Sequence, residues 1–332
     1  SSVWSILQDS YGFMWFGTAD GLNKYDGYSF KIYQHNTQDS TSLRSNAIWS
    51  ILEDRDGIMW IGTVAGLERF DRMKGFFTRV GSENRHKDSY LNAHITSVIQ
   101  DQEGKLWIGS FAGITVLDPS SGSIREFGLS EFDSATSAAY IKVFCEDKDG
   151  TVWVGCSGTP YRFDRERQKF VYVPLPPEVR TGAPLTCMHI DGLGNRWFGS
   201  ARGLVNWNRE KDSWKIYSHD PRNQQSISES SVRSLAEDAE GRLWVGTSSQ
   251  GVNIFDSRTD SFTRFNPPKD NNSNARYEGV SSVYRDRSGL IWVGFDGAGL
   301  LKFNPHRRKF QHILLPLASA KTTGDNFLKS II

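Results

Sequence analysis

Residues 54–71 read DRDGIMWIGTVAGLERFD, and the pattern within this stretch returns throughout the chain. It consists of an Asp, a Gly three residues later, a Trp six residues after the Asp, and a second Gly two residues after the Trp. The Trp recurs seven times at intervals of 44 to 48 residues, as Trp15, Trp60, Trp107, Trp153, Trp197, Trp244 and Trp292. A catalytic loop is not needed in seven copies, whereas fixed periods of this length are typical of propellers, solenoids and arrays. The pattern therefore predicts a repeated structural unit.

Each unit contains four short runs that favour β-strands. The second unit opens with the apolar run 48–52, turns at Asp54 and Gly57, and continues into the run that carries Trp60. An Asp side chain accepts backbone hydrogen bonds in such a turn, and Gly tolerates a positive φ there. A third run at 66–71 and a short outer run complete the unit, and helical periodicity is absent. We therefore predict an all-β fold, a seven-bladed β-propeller with four antiparallel strands per blade.

The units also predict the domain boundaries. We expect the propeller to span residues 1–315, with blades starting near residues 2, 47, 94, 140, 184, 231 and 279. Residues 316–332 are interpreted as a linker and the first strand of a following repeat or second propeller, because NFLKSII at 326–332 resembles NAIWSIL at 46–52. In the fourth unit Pro160 replaces the usual Leu, Ile or Val. Since proline cannot donate a ladder hydrogen bond, we expect this third strand to start late or to be distorted.

Composition excludes several classes of partner. Lys and Arg total 39 against 38 Asp and Glu, so no net field attracts nucleic acid or an anionic membrane. No apolar run reaches about 18 residues, and we expect no membrane insertion in this segment. The 3 cysteines are odd in number and fit neither a zinc site nor a disulfide framework. They are interpreted as small buried hydrophobic residues.

The repeated Asp invites a calcium-binding interpretation at 54–57 and 147–150. A calcium loop needs a bidentate Glu at its twelfth position, where this chain carries Ala65 and Gly158. We therefore interpret Asp-x-x-Gly as a turn and predict no metal site and no cofactor. The sequence contains no nucleophile elbow, phosphate-binding loop or His-rich zinc pattern, so it predicts no catalytic residue.

The repeats, as at 9–26 and 238–256, resemble the two-component regulator propeller repeat over essentially the whole chain. The resemblance implies the extracytoplasmic sensor region of a hybrid two-component histidine kinase, with this chain as the first of two propellers. It also implies a periplasmic location and a response to a glycan or oligosaccharide. In that family a second propeller, a β-sandwich, a transmembrane helix and the kinase core follow in the same chain, so the kinase activity lies outside this region.

A ligand site is expected where the repeat becomes irregular. The position after the first apolar residue of each first strand varies, as Trp4, Trp49, Thr96, Lys142, Thr186, Arg233 and Ser281. In a propeller this end of the first strand opens on the same face as the loop between the second and third strands, and function tends to lie in such loops. The candidate apolar platforms are Trp49, Phe111 and Tyr140. The candidate hydrogen-bonding or charged partners are His94, Lys142, Arg202, Arg233 and Asp296.

Two other functions stay open. A propeller that acts on glycosides, as a hydrolase or a lyase, needs acids that converge on one face, and rim acids such as Glu278 are present. A purely structural or dimerising propeller, with the ligand bound elsewhere, needs only that Trp4 and Trp49 pack between blades and that the charges are solvated. A homodimer through a propeller face is compatible with either interpretation.

Overall fold

The computed structural model describes residues 1–81, 89–132, 141–180, 182–265, 277–305, 309–313 and 315. Within these residues the chain forms seven antiparallel sheets, each built from four consecutive strands. The prediction of an all-β, seven-bladed propeller is confirmed. Residues 316–332 and Tyr140 lie outside the described residues, so the linker and the following strand stay predictions.

The strands occupy equivalent positions in every blade. The innermost strands are β1 (Val3–Gln8), β5 (Ile48–Glu53), β9 (Ile95–Gln100), β13 (Ile141–Glu146), β17 (Leu185–Ile190), β21 (Val232–Glu237) and β25 (Val280–Arg285). The second strands are β2 (Met14–Thr18), β6 (Met59–Thr63), β10 (Leu106–Ser110), β14 (Val152–Cys156), β18 (Arg196–Ser200), β22 (Leu243–Thr247) and β26 (Ile291–Phe295). The second strands are buried along their whole length.

The outer half of each blade is less buried. The third strands are β3 (Gly21–Tyr25), β7 (Gly66–Asp71), β11 (Gly113–Leu117), β15 (Thr159–Asp164), β19 (Gly203–Asn208), β23 (Val252–Asp256) and β27 (Gly299–Asn304). The fourth strands are β4 (Phe30–Tyr33), β8 (Phe76–Arg79), β12 (Ile124–Gly128), β16 (Lys169–Tyr172), β20 (Ser213–Tyr217), β24 (Ser261–Phe265) and β28 (Lys309–Ile313). Short 3₁₀ turns in the described part of the chain lie at Tyr90–Asn92, Leu129–Glu131 and Pro177–Val179.

The seven sheets close into a ring through contacts between the first and last blades. The innermost strands contact one another in chain order, and β1 also contacts β25. Ser281 Oγ donates a hydrogen bond to Val3 O at 2.6 Å. The Arg287 amide donates to Gln8 Oε1 at 2.8 Å. Since each sheet uses consecutive strands only, side-chain and packing contacts close the ring within the described residues.

A hydrogen bond between side chains explains the spacing of Asp and Trp. In blade 2, Asp54 Oδ1 accepts the amides of Asp56 at 3.0 Å and Ile58 at 2.8 Å. Its Oδ2 accepts the indole Nε1–H of Trp60 at 2.7 Å. The same indole bond forms in blades 1, 3, 5, 6 and 7. The repeated Asp therefore accepts hydrogen bonds both from the amides of the turn and from a buried Trp indole. The indole bond joins the turn to the core of its blade.

The Gly after each Trp makes room for the next blade. A Cβ placed on Gly62 would lie 2.7 Å from Ile95 Cγ2, and one on Gly109 would lie 2.8 Å from Ile141 Cγ2. Ile95 and Ile141 are the first residues of the neighbouring innermost strands. This Gly thus sets the close approach of adjacent blades.

The expected late start of the third strand in blade 4 is wrong. This strand begins at Thr159, six residues after Trp153, and the tight turn before it is formed by Ser157 and Gly158 at φ values of 48° and 86°. Pairing with the outer strand begins at Tyr161. Pro160 contributes only its carbonyl, which accepts the Val173 amide at 3.1 Å. Its missing N–H is therefore not needed on that side.

Candidate functional site

A β-bulge interrupts every innermost strand at its second residue. In blade 1, Val3 pairs with Thr18 and Ser5 pairs with Gly17, which leaves Trp4 without a partner in the ladder. The seven bulged residues are Trp4, Trp49, Thr96, Lys142, Thr186, Arg233 and Ser281. A bulge redirects a side chain relative to the regular alternation of a strand. The irregular positions of the sequence are thus the bulged positions of the fold.

All seven bulged residues line one cavity of about 490 Å³, to which Asp296 also contributes. We call it the mouth cavity. Because every innermost strand supplies a residue to it, the cavity lies at the centre of the ring. Its size is within the range of pockets that hold small ligands.

Three of the bulged residues use their hydroxyl groups in hydrogen bonds to the next blade. Thr96, Thr186 and Ser281 donate to the carbonyl of the first residue of the next innermost strand. These bonds join blade 3 to 4, 5 to 6, and 7 to 1. The larger bulged residues are Trp4, Trp49, Lys142 and Arg233. The chemistry of the cavity therefore rests mainly on these four.

Aromatic rings form a continuous row on one side of the cavity. The ring centres of Trp4 and Trp49 lie 4.9 Å apart, those of Trp49 and His94 4.9 Å, and those of His94 and Phe111 4.3 Å. Phe111 is half exposed at the rim. Burial lowers the pKa of His94, so its ring is neutral at pH 7. Trp49 Nε1 and His94 Nε2 are buried without a hydrogen-bond partner in the described residues.

Two cations and one carboxylate face the cavity. Arg233 forms a salt bridge with Asp296 in the turn between β26 and β27. Lys142 is half-buried and forms no salt bridge among the described residues. Burial lowers the pKa of the Lys142 ammonium; the Cys187 thiol acts in the opposite direction, and the charge of Arg233 lowers it further. The lining residues therefore carry an excess of positive charge.

The structure places the predicted site residues unequally. Trp49, Lys142, Arg233 and Asp296 line the mouth cavity, while His94 and Phe111 extend its aromatic row. Arg202 is exposed in the turn between β18 and β19 and does not line the cavity. It stands five residues after its Trp, whereas Phe111 and Asp296 stand four residues after theirs. Successive residues at a strand end point to opposite sides.

Trp4 is the large bulged residue that the candidate site residues omitted, along with the smaller Thr96, Thr186 and Ser281. The available signal was that Trp4 stands at the variable second position of its innermost strand, equivalent to Trp49. In the described part of the chain, no group of three or more His, Cys, Asp or Glu side chains is arranged to hold a metal ion. The cysteines there are unpaired, and burial raises the pKa of Cys145 and Cys187 to about 12. No helix in the described residues is both long and apolar enough to cross a membrane.

Similar solved structures include the extracellular domains of two proteins assigned to hybrid two component systems of B. thetaiotaomicron. They are 18% and 19% identical over 94% and 95% of this chain, each with a TM-score of 0.51, and the chain spans 51% and 53% of their length. A virginiamycin B lyase from Staphylococcus aureus, solved with quinupristin, is 12% identical over 91% of this chain and 94% of its own, with a TM-score of 0.68. At these identities the likeness shows the fold alone.

Sequence comparison points to one family. A segment of 43 residues, 13% of this chain, is 60% identical to histidine kinase P4 of Formosa agariphila and covers 3% of that protein. The sequence model of the two component regulator propeller family matches residues 1–20, 42–65, 89–112, 137–158 and 226–249. Each match takes in the innermost and second strands of one blade. Blades 1, 2, 3, 4 and 6 of this chain therefore carry two component regulator propeller repeats.

Proposed function

We propose that this chain is the ligand-sensing propeller of a hybrid two-component receptor, that it lies in the periplasm, and that it binds an oligosaccharide in the mouth cavity. The observation that carries the proposal is the convergence of seven bulged side chains on one central cavity. The scaffold repeats, while the residues that face the cavity do not. A rigid frame with variable residues at one mouth is the arrangement that recognition requires.

The lining residues match the surface of a sugar. Trp4 and Trp49 present a joined aromatic surface, with ring centres 4.9 Å apart, which suits the apolar face of a pyranose ring. Lys142 and the Arg233–Asp296 pair supply hydrogen-bonding groups on the cavity wall. A few fixed polar groups around an apolar platform orient a small ligand.

The regulator propeller repeats support a receptor role for this region rather than an enzymatic one. The mouth cavity agrees with that assignment, because Asp296 is the one carboxylate among its described lining residues and Arg233 binds it. Glycoside hydrolysis commonly needs two carboxyl groups across the scissile bond. We further propose that a second propeller and a β-sandwich follow in the same protein, and that a homodimer transmits the signal.

The test is binding of an oligosaccharide library to the complete extracellular region, measured by calorimetry together with the melting temperature. We expect Trp49→Ala to weaken the binding of any hit by about 1–3 kcal/mol while the region stays folded. Tyr28→Ala is the matched control, because Tyr28 is 88% exposed and lies outside the mouth cavity. Unchanged affinity in Trp49→Ala would place the site in another module and leave this propeller with a structural role.

A further inference from the structure

We propose that the mouth cavity selects ligands with an anionic group, a carboxylate or a sulfate, and that Lys142 binds this group. The inference rests on the proposed function and names the chemical class of ligand for the same cavity. It also assigns a role to Asp296, which competes with the ligand for Arg233.

The order of the blades places aromatic and cationic side chains on opposite sides of the cavity. Trp4 and Trp49 come from the adjacent blades 1 and 2, while Lys142 and Arg233 come from blades 4 and 6. In a ring of seven, blade 5 lies opposite the boundary between blades 1 and 2. A sugar ring stacked on the two tryptophans therefore directs the substituents of its far side toward the two cations.

Of this pair, Lys142 is the cation without a carboxylate partner among the residues that the structure describes. It is half-buried, and Arg233, which takes the nearby Asp296, adds a second positive charge to the same wall. Burial lowers the pKa of Lys142, so the folded protein holds the charged form against a desolvation cost. An anion that enters the cavity supplies the missing partner. It gains a charge-assisted hydrogen bond from a donor that the bulge already directs into the cavity.

Asp296 acts as an internal competitor. The Arg233 and Asp296 side chains are 41% and 38% exposed, so water screens their attraction and a ligand anion can replace the Asp296 carboxylate. The same carboxylate lines the cavity and repels an incoming anion. Removal of its charge should therefore strengthen anion binding, which is the opposite of what a direct ligand contact predicts.

The experiment compares matched acidic and neutral oligosaccharides on the complete extracellular region. One pair is trigalacturonic acid and its methyl ester, and the other is galactotriose with and without a 6-sulfate. We expect at least one acidic member to bind about 10-fold or more tightly than its neutral partner. Lys142→Met should remove this difference, because it keeps the length of the side chain without its charge. Asp296→Asn should tighten binding of the acidic member about 2- to 5-fold.

The controls separate charge at the site from net charge and from folding. Lys169→Met makes the same change on the exposed outer strand of the same blade and should bind as the wild type does. In the unmodified protein, a rise in NaCl from about 0.05 to 0.5 M should weaken binding of the acidic member more than that of the neutral one. This measurement needs no variant and holds even if Lys142→Met fails to fold.

Each remaining outcome contradicts a specific claim. Equal affinity for acidic and neutral members, lost in Trp49→Ala, would overturn the anion preference and leave the oligosaccharide site in place. No binding by any acidic or neutral oligosaccharide would overturn both proposals. Weaker binding of the acidic member to Asp296→Asn would show that Asp296 contacts the ligand directly. The two pairs also distinguish a carboxylate ligand from a sulfate ligand.

Discussion

The side chains of Lys142 in blade 4 and Arg196 in blade 5 are both cationic. They differ in how deeply they are buried and in whether a carboxylate contacts them among the described residues. Arg196 is buried at the junction between the blades, where its Nη2 donates to Asp147 Oδ2. Lys142 lies half-buried in the mouth cavity and forms no salt bridge among the described residues. Burial of a charge is tolerated in a scaffold when a partner is present. An ionisable group without a partner, inside a cavity, is a signal of function.

The junction that holds Arg196 also departs from the other junctions. Arg196 occupies the first position of a second strand, where the other blades carry Met14, Met59, Leu106, Val152, Leu243 and Ile291. Its guanidinium lies 4.6 Å from the ring centre of Trp153 and 4.7 Å from that of Trp207. Asp147 binds Arg196 rather than the indole of its own blade, and Trp153 Nε1 is buried with no hydrogen-bond partner in the described part of the chain. One charged residue thus replaces an indole hydrogen bond with cation–π contacts.

The largest expected effect comes from breaking the pair at the junction. Arg196→Ala leaves the fully buried Asp147 without its main partner, and the loss of one member of a buried pair costs about 3–5 kcal/mol. The free energy of unfolding from urea denaturation measures this. Arg196→Leu is the control, since it restores the apolar residue of the repeat and allows Trp153 to donate to Asp147. We expect it to lose less than about 1 kcal/mol. Equal losses would mean that the Arg196–Asp147 pair itself stabilises the junction and that neither the leucine side chain nor the Trp153 indole replaces it.

A smaller difference in stability is expected between a blade with the Asp–Trp indole hydrogen bond and blade 4, where Asp147 binds Arg196 instead. Trp60→Phe removes the donor to Asp54 Oδ2, whereas Trp153→Phe removes an indole that makes no hydrogen bond in the described residues. Both side chains are buried, so the lost apolar contacts are similar. We expect Trp60→Phe to be more destabilising by about 1–3 kcal/mol, the cost of an unsatisfied buried acceptor. A difference near zero in chemical denaturation would argue that the indole bond adds nothing to packing.

The smallest effect has the opposite sign. Because burial lowers the pKa of Lys142, the folded state holds the protonated form less readily than the unfolded state does. Lys142→Met should therefore raise the melting temperature at pH 7, by about 1–3 °C. As the pH rises from the lowered folded pKa toward the ordinary value of about 10.4, the wild type loses this penalty and the gap closes. A lower melting temperature for Lys142→Met at pH 7 would mean that Lys142 has a stabilising partner.

The repeat made the fold predictable, because its signals are local. Asp54, Gly57 and Trp60 lie within one hairpin, so their spacing reports the turn and the strands directly. In the sequence the bulges were visible only as a position that varies between repeats, because a bulge is defined by pairing with another strand. The break at Arg196 was present in the sequence, but its partner Asp147 belongs to the preceding blade, 49 residues away. Contacts between blades join residues that are far apart in the sequence, so the spacing within one repeat does not predict them.

The bulges also bear on how such a protein changes over time. A regular strand residue cannot be exchanged freely, because it packs between blades and keeps the register of its neighbours. A bulged residue is outside the ladder, and Trp4, Trp49, Lys142 and Arg233 reach the cavity without holding the strands together. We expect these four positions to accept new side chains without loss of the ring, with Trp4 and Trp49 changing together because their rings are in contact. Gene duplication followed by exchange at four codons would then yield receptors of different specificity on an unchanged ring.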